Sequence, residues 1–265
     1  MLKRIISAAV MLIVLVPILI AGGRAFYLAV GIIALLALKE ILDLKKSHSK
    51  IPSGVILMAM AALIFLVFYE YNVDIFSYGL NHLFFALILI LFLIPTLFSY
   101  KNGEYNTKDA FYLIGVIILL GTAFNAIIVF RNMNLYYLVY LFLVTIMTDT
   151  FALVFGMLFG HHPLAPLISP KKTIEGAIGG LVMGSIIPSL FYYYFISPIP
   201  FYIILIISLL LSFVSQLGDL LFSKIKRENE IKDFSNLIPG HGGILDRFDS
   251  IIFVVLAYVL LIQFI

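Results

Sequence analysis

The sequence contains no cysteine, no tryptophan and few charged residues. The absence of cysteine excludes disulfide bonds, thiolate metal sites and cysteine nucleophiles. Without tryptophan, the 15 tyrosines and 24 phenylalanines must supply any aromatic belt at a membrane interface. Charged residues make up 12% of the chain, about half the share found in a soluble domain. This scarcity argues against an ordinary soluble enzyme, a disordered chain and a nucleic-acid-binding module.

Long apolar runs dominate what the sequence does contain. Apolar residues are 63% of the 265-residue chain, about 167 residues, and the mean hydropathy is +1.15. A transmembrane helix needs about 20 apolar residues, so this content predicts eight or nine helices. The runs are continuous rather than alternating, which favours an all-α polytopic membrane protein over a β-barrel. Nine spans are predicted, at 5–21, 25–44, 52–69, 80–99, 109–130, 135–160, 176–196, 200–222 and 244–265.

Lysine and arginine are distributed unevenly between alternate loops, and this bias predicts membrane orientation. Arg24 and Arg131 fall on one side, and Arg247 lies within the last span. The other side receives fourteen of the 17 cations, namely Lys3, Arg4, Lys39, Lys45, Lys46, Lys50, Lys101, Lys108, Lys171, Lys172, Lys224, Lys226, Arg227 and Lys232. We therefore expect a cytoplasmic N-terminus and a C-terminus outside. The first span is long for the apolar core of a signal peptide, so we interpret it as a retained helix.

The interiors of the first five spans contain almost no ionisable residue, whereas the last four spans contain several. We expect one membrane domain over 1–265, with hydrophobic helices over 1–134 and catalytic helices and loops over 135–265. A charge at membrane depth is costly and marks a functional site by default. In the predicted orientation, the following residues lie in the cytoplasmic or middle part of the bilayer: Asp149, Asp219, Asp246, Arg247 and Asp249. They predict one site that is open to the cytoplasm.

Three of these carboxylates are typical of a metal site. Asp246 and Asp249 are three residues apart and share a helix face, and Asp219 comes from a neighbouring helix. Oxygen ligands suit Mg²⁺, which usually retains water and phosphate oxygens as further ligands. Two other interpretations stay open at this point. Arg247 could form a purely structural ion pair with these carboxylates, and Asp149 could be a packing residue that nearby threonines hydrogen-bond.

The predicted loop between the last two spans combines cations with glycines. Its glycines allow backbone N–H groups to approach an anion at the start of a helix. Cations, carboxylates and a glycine-rich helix entry together suit a metal–polyphosphate substrate. A positive-inside loop with a flexible turn explains the cations. It does not explain why a cluster of glycines stands immediately before the acidic residues of the last span. The residues concerned are Lys226, Arg227, Lys232, Gly240, His241, Gly242 and Gly243.

The loop before the seventh span carries Lys171 and Lys172 on the same predicted side. Thr173, which follows them, is a candidate N-cap for that span. The spacing of Gly156 with Gly160, and of Gly180 with Gly184, predicts close helix packing rather than chemistry.

The stretch 223–249 resembles the signature of the phosphatidate cytidylyltransferases, also called CDP-diacylglycerol synthases. The segment 169–176, and Asp149 with the glycines after it, resemble the same family, whereas Leu153 stands where an aromatic residue is expected. The resemblance covers roughly 145–250. Its twelve matching positions are Ser223, Lys226, Arg227, Lys232, Asp233, Pro239, His241, Gly242, Gly243, Asp246, Arg247 and Asp249.

This resemblance implies that CTP and phosphatidate react to give CDP-diacylglycerol and pyrophosphate with Mg²⁺, at the cytoplasmic face of the cytoplasmic membrane. A monovalent cation such as K⁺ is compatible with the same carboxylates. We expect the protein to contact membrane lipids, to bind no nucleic acid and to form a homodimer. The implied metal ligands are Asp219, Asp246 and Asp249, which with Lys226 and Arg227 are also the implied catalytic residues. The implied substrate-binding residues are Lys171, Lys172, Ser223, Lys232, His241, Gly242, Gly243 and Arg247.

Two other functions use similar residues. An ion- or proton-coupled transporter also contains intramembrane carboxylates, but it predicts paired halves, and here the charges are confined to one half. A CTP-dependent transferase or kinase that acts on another membrane lipid needs much the same site. The sequence does not separate that second alternative from the phosphatidate reaction.

Overall fold

Apolar helices make up most of the described chain. The computed structural model describes residues 2–46, 51–69, 82–98, 105–196 and 199–262. The helices are α1 Leu2–Ala21, α2 Gly23–Lys46, α3 Ser53–Val67, α4 His82–Leu93, α5 Pro95–Phe98, α6 Thr107–Met133, α7 Leu135–Phe159, α8 Ile174–Phe195, α9 Phe201–Glu228 and α10 Leu245–Leu261. Between α7 and α8, β1 Pro163–Ala165 and β2 Ser169–Thr173 form an antiparallel hairpin.

Five of the described helices are long and apolar enough to cross a membrane. The prediction of an all-α membrane protein is confirmed at this level, whereas the count of nine spans and the orientation stay predictions. Lys50 and Lys101, two of the cations predicted on the inner side, lie outside the described residues. The five segments are Gly23–Leu44, Thr107–Met133, Leu135–Phe159, Ile174–Phe195 and Phe201–Glu228.

The chain divides into two units, one formed by 1–22 with 129–265 and the other by 23–128. In the first unit, α7, α8, α9 and α10 pack against one another. In the second unit, α2 packs on α3, and the Asn125 side chain donates a hydrogen bond to the Val67 carbonyl at 3.0 Å. The structure therefore groups α1 with the C-terminal helices, across the predicted boundary at 134. A single membrane domain stays a prediction.

Helices α7 and α8 approach closely because glycines leave room at their contact. A Cβ atom at Gly176 would lie 2.5 Å from the Ala152 carbonyl oxygen, and one at Gly180 would lie 2.7 Å from the Thr148 carbonyl oxygen. Both distances are collisions, so these positions require glycine. Gly180 thus has the predicted packing role, and Gly176 has the same role without having been predicted. At the start of α8, the Thr173 hydroxyl accepts a hydrogen bond from the Gly176 N–H at 3.2 Å, and the predicted N-cap is confirmed.

One face of α9 is polar along most of its length. Residues three or four positions apart share a helix face, and this face consists of Ser208, Ser212, Ser215, Asp219 and Ser223. The Ser208 hydroxyl lies 2.8 Å from the Tyr140 hydroxyl on α7, and the Ser212 hydroxyl lies 2.7 Å from the Thr148 hydroxyl. Such hydrogen bonds commonly join helices in membranes. The face that binds α9 to α7 thus also carries the Asp219 carboxylate.

The hairpin carries Lys171 and Lys172 on β2, and it was not predicted from the sequence. Its base is fixed to α8 by the Glu175 carboxylate, which lies 2.6 Å from His162 Nδ1. The Ile174 N–H also donates to the His162 carbonyl at 2.9 Å. These bonds hold β2 at the start of α8 and so fix the backbone position of its two lysines.

Candidate active site

Asp219 lies on the polar face of α9 and pairs with a lysine of the hairpin. Its Oδ2 atom is 2.5 Å from Lys172 Nζ, and its Oδ1 atom accepts a hydrogen bond from the Ser223 hydroxyl at 3.2 Å. Ser223 lies one helical turn further along α9, which brings the hydroxyl beside the carboxylate. The Lys172 side chain is 30% exposed and the Asp219 side chain 25% exposed. A ligand can therefore reach this ion pair without unfolding of the bundle.

Asp246, in the first turn of α10, is enclosed by the loop that joins α9 to α10. Its Oδ1 atom is 2.8 Å from Lys226 Nζ on α9, and the side-chain exposures are 3% for Asp246 and 11% for Lys226. Its Oδ2 atom accepts hydrogen bonds from the N–H groups of Phe234 at 2.9 Å and Gly243 at 2.8 Å. Charge-assisted bonds of this kind are strong. This carboxylate therefore ties the beginning and the end of the loop to α9.

The glycine turn of the same loop fits closely around Asp246. Gly242 has a φ of +80°, and a Cβ atom there would lie 2.6 Å from Asp246 Oδ2. Only glycine satisfies both the left-handed backbone and this contact. The Ile238 N–H donates to the Gly242 carbonyl at 2.9 Å and closes the turn. The Gly243 N–H, one of the groups predicted to bind phosphate, is directed at the carboxylate of Asp246.

Two further carboxylates lie near the Lys172–Asp219 pair. Asp149 on α7 and Asp249 on α10 are close enough to Asp219 for the three charges to repel one another. Lys172 and Arg247 attract Asp149 over the same range. Asp249 Oδ1 accepts a hydrogen bond from the Ser250 N–H at 2.8 Å. The structure thus brings Asp149 to the site, which the sequence left open.

The alternative role of Asp149 as a packing residue is not supported. The hydroxyl of Thr145 donates to the Leu141 carbonyl at 3.1 Å, and the hydroxyl of Thr148 donates to the Val144 carbonyl at 2.7 Å. Within the described ranges, no threonine hydrogen-bonds the Asp149 carboxylate.

The remaining predicted cations are exposed. Arg227 donates to the Ile168 carbonyl in the hairpin at 3.3 Å and to the Ile231 carbonyl in the α9–α10 loop at 2.9 Å, so it joins these two segments. Lys171, Lys232 and Arg247 form no ion pair with any described residue. The interpretation of Arg247 as half of a structural ion pair is therefore not supported either. These three cations are available to an anionic ligand.

The carboxylates fit a metal that is shared with a substrate better than a preformed cage. Among the residues that the structure describes, no three acidic or histidine side chains are arranged as a metal site. Mg²⁺ is usually bound by one or two carboxylates together with substrate phosphates. Asp219 and Asp249, which repel each other, suit this arrangement, whereas Asp246 already accepts three hydrogen bonds from the protein. The metal-binding roles of Asp219, Asp246 and Asp249 stay predictions.

The fold is a bundle of apolar helices long enough to cross a membrane. Its site pairs lysines with aspartates beside a glycine-rich loop. Together these features define a helical membrane protein suited to phosphorylated ligands. Comparison with known proteins gives its family. The model of the cytidylyltransferase family matches residues 2–265, and the chain belongs to this family.

Curated relatives extend the similarity over nearly the whole chain. They include proteins named phosphatidate cytidylyltransferase from Staphylococcus haemolyticus, Staphylococcus saprophyticus and Staphylococcus aureus, which are 36%, 37% and 36% identical to this chain over 261 residues. Each alignment covers 98% of this chain and 98% of the relative. The resemblance inferred from the stretch 223–249 is therefore confirmed.

Proposed function

We propose that this protein transfers the cytidylyl group of CTP to phosphatidate, which gives CDP-diacylglycerol and pyrophosphate. The observation that carries the proposal is the Lys172–Asp219 pair, which joins the hairpin to an apolar helix of the bundle and stays partly exposed. A lipid phosphate reaches such a position from the membrane, and a nucleotide reaches it from water. The names of the relatives, which match over almost their full length, support the same reaction.

The proposed reaction is a direct displacement at phosphorus. A phosphate oxygen of phosphatidate forms a bond to the α-phosphorus of CTP. The bond between this phosphorus and the oxygen that bridges to the β-phosphorus breaks, and pyrophosphate leaves with the electron pair. No protein nucleophile is needed, so the residues act by positioning the two phosphates and by stabilising charge.

The cations of the site differ in how readily they can bind a phosphate group. Lys171, Lys232 and Arg247 are exposed and contact phosphate directly in the proposal. Lys172 also binds a phosphate oxygen in the proposal, because its ammonium has three N–H donors and Asp219 accepts only one of them. Lys226 is buried against Asp246, and it acts mainly by holding the loop that contains His241, Gly242 and Gly243.

We propose Mg²⁺ as the metal, held by Asp219 and Asp249 together with phosphate oxygens, and by Asp246 if its bonds rearrange. When bound, Mg²⁺ neutralises charge on the triphosphate and on the departing pyrophosphate. Lys172 and Arg247, which lie within electrostatic range of Asp149, would balance the negative charge of the carboxylates. A monovalent cation beside Mg²⁺ and a homodimer stay predictions.

We propose further that the site faces the cytoplasm from the cytoplasmic membrane. The support is the distribution of lysine and arginine, because the hairpin and the α9–α10 loop both belong to the side that receives fourteen of the 17 cations. CTP is a cytoplasmic nucleotide, so the substrate supply agrees with this orientation.

The position of a radioactive label distinguishes this reaction from its alternatives. The purified protein, in detergent micelles with Mg²⁺ and phosphatidate, is given CTP labelled at either the α- or the γ-phosphate. We expect the α-label in a lipid product and the γ-label in pyrophosphate. Diacylglycerol and a polyprenol, offered instead of phosphatidate, serve as acceptor controls and should stay unlabelled.

Other outcomes point to the other functions. A γ-label in the lipid identifies a kinase, and an α-label in the polyprenol identifies a different lipid acceptor. Ion flux into proteoliposomes without CTP consumption identifies a transporter. Each of these results overturns the proposal.

A further inference from the structure

Helix α1 is attached at both ends to the unit that contains the candidate site. Near its C-terminal end, the Arg131 guanidinium donates hydrogen bonds to the carbonyls of Leu19 at 2.6 Å and Ile20 at 2.7 Å. Near its N-terminal end, the Ser7 hydroxyl lies 2.7 Å from His241 Nδ1. Ser7 and Leu19 are separated by about 18 Å along the helix, at 1.5 Å per residue. Helix α1 is thus fixed relative to the α9–α10 loop at the end where the site lies.

The backbone around His241 is fixed by the turn, but its ring is not. Gly240 and Gly242 flank it with φ values of +79° and +80°. The His241 N–H donates to the Ile238 carbonyl at 2.9 Å. Among the described residues, the only hydrogen bond to the ring is the one with Ser7.

We infer that Ser7 is a positioning residue that orients His241 towards the nucleotide, an inference that rests on the proposed function. In this inference the Ser7 hydroxyl donates its hydrogen to Nδ1, 2.7 Å away, which leaves the proton of the neutral ring on Nε2. The bond at one ring nitrogen thus determines the role of the other. An Nε2–H group can donate a hydrogen bond to a phosphate oxygen of CTP. Helix α1 therefore contributes to the site and does more than anchor the chain.

A double-mutant cycle tests whether Ser7 acts through His241. The variants are Ser7→Ala, His241→Ala and the double variant, and kcat and KM for CTP are measured for each. Loss of one hydrogen bond corresponds to a rise in KM of about 3- to 10-fold for Ser7→Ala. In the His241→Ala background, we expect Ser7→Ala to have no further effect, because its target is absent. Multiplying effects, or an unchanged KM in Ser7→Ala, would overturn the inference.

A matched pair separates the hydroxyl from helix packing. Ser7→Thr and Ser7→Val have nearly the same shape, and only threonine keeps the hydroxyl. We expect Ser7→Thr to keep KM for CTP within about 2-fold of the parent and Ser7→Val to raise it as alanine does. Equal KM values for the two variants contradict the inference even if Ser7→Ala fails to fold. Ser235→Ala, in the same loop, is the control whose effect should multiply with that of His241→Ala.

Nuclear magnetic resonance gives a readout that does not need activity. The chain has 5 histidines, so ring nitrogens labelled with ¹⁵N give few signals, and His241→Gln assigns the one required. We expect the proton on Nε2 in the parent and in Ser7→Thr, and a mixture of tautomers in Ser7→Val. A parent protein that shows this tautomer but makes no CDP-diacylglycerol refutes the proposed function alone. A ring whose tautomer is the same in Ser7→Thr and Ser7→Val refutes the role of Ser7.

Discussion

The two lysine–aspartate pairs of the site lie in contrasting surroundings. Lys226 and Asp246, in the region of the α9–α10 loop, have side chains that are 11% and 3% exposed, and Asp246 accepts two further backbone hydrogen bonds. Lys172 and Asp219, in the region of the hairpin, are 30% and 25% exposed, and a serine completes the pair. The first pair has a structural role, because its buried charges would lose their hydrogen-bond partners if the pair separated. The second pair can open towards a ligand.

The largest expected effect on stability comes from breaking the buried pair. In Asp246→Asn, Lys226 keeps a buried charge without its partner, and a neutral amide replaces the carboxylate that accepts from Phe234 and Gly243. Removal of one partner from a buried pair costs about 3–5 kcal/mol of the free energy of unfolding. Denaturant unfolding in detergent measures this loss, with Asp233→Asn, an exposed carboxylate of the same loop, as control. Equal unfolding of the two variants contradicts the structural role of Asp246.

The exposed pair should show the opposite behaviour, with a large effect on turnover and a small one on stability. In Asp219→Asn, we expect the free energy of unfolding to fall by only about 1 kcal/mol, because the pair is partly exposed to solvent. Loss of a group that stabilises charge in the transition state lowers kcat by roughly 100-fold or more. Initial rates of CDP-diacylglycerol formation at saturating Mg²⁺ measure this.

The matched control for Asp219→Asn is Glu228→Gln on the same helix. Glu228 is an exposed carboxylate, and its only ion-pair partner among the described residues is Lys224, at 3.6 Å. We expect this variant to keep the rate of the parent protein. A rate near that of the parent in Asp219→Asn as well contradicts the assignment of Asp219 to the metal and removes the contrast between the two pairs.

The long helices around these pairs could be predicted because apolar runs alone determine them. The predicted spans 135–160 and 176–196 correspond to Leu135–Phe159 and Ile174–Phe195. The predicted span 200–222 ended too early, since α9 continues to Glu228. Its last turns are charged and so escape an apolar criterion. Lys226 and Arg227 in the last turn favour this helix C-terminus, and Lys224 and Glu228 form a weak pair four residues apart.

The contents of the site could be predicted better than its contacts. The cost of burying charge singled out Asp219, Asp246 and Asp249. Sequence spacing did not show that the loop folds back so that two backbone N–H groups reach Asp246. The contact of His241 with Ser7 joins residues 234 positions apart, and no local pattern signals it. By contrast, the serines on α9 are spaced three to four residues apart in the sequence, and this spacing could have predicted the polar face.

The smallest expected effect tests whether Lys172 competes with the metal for Asp219. Lys172 Nζ lies 2.5 Å from Asp219 Oδ2, so a metal at this oxygen must displace it. Without CTP, Lys172→Met should therefore bind Mn²⁺, used in place of Mg²⁺, more tightly, by up to about 5-fold, since an exposed pair contributes at most about 1 kcal/mol. With CTP, the same variant should have a higher KM, because a cation that neutralises phosphate is lost.

Lys171→Met is the control that makes this result specific. Lys171 precedes Lys172 on β2, is exposed and pairs with no described carboxylate. Its loss should raise KM for CTP in the same way but leave Mn²⁺ binding without CTP unchanged. Electron paramagnetic resonance of free Mn²⁺ measures both variants directly. If both bind Mn²⁺ like the parent protein, then Lys172 and the metal occupy separate positions on Asp219, and the exposed pair is as fixed as the buried one.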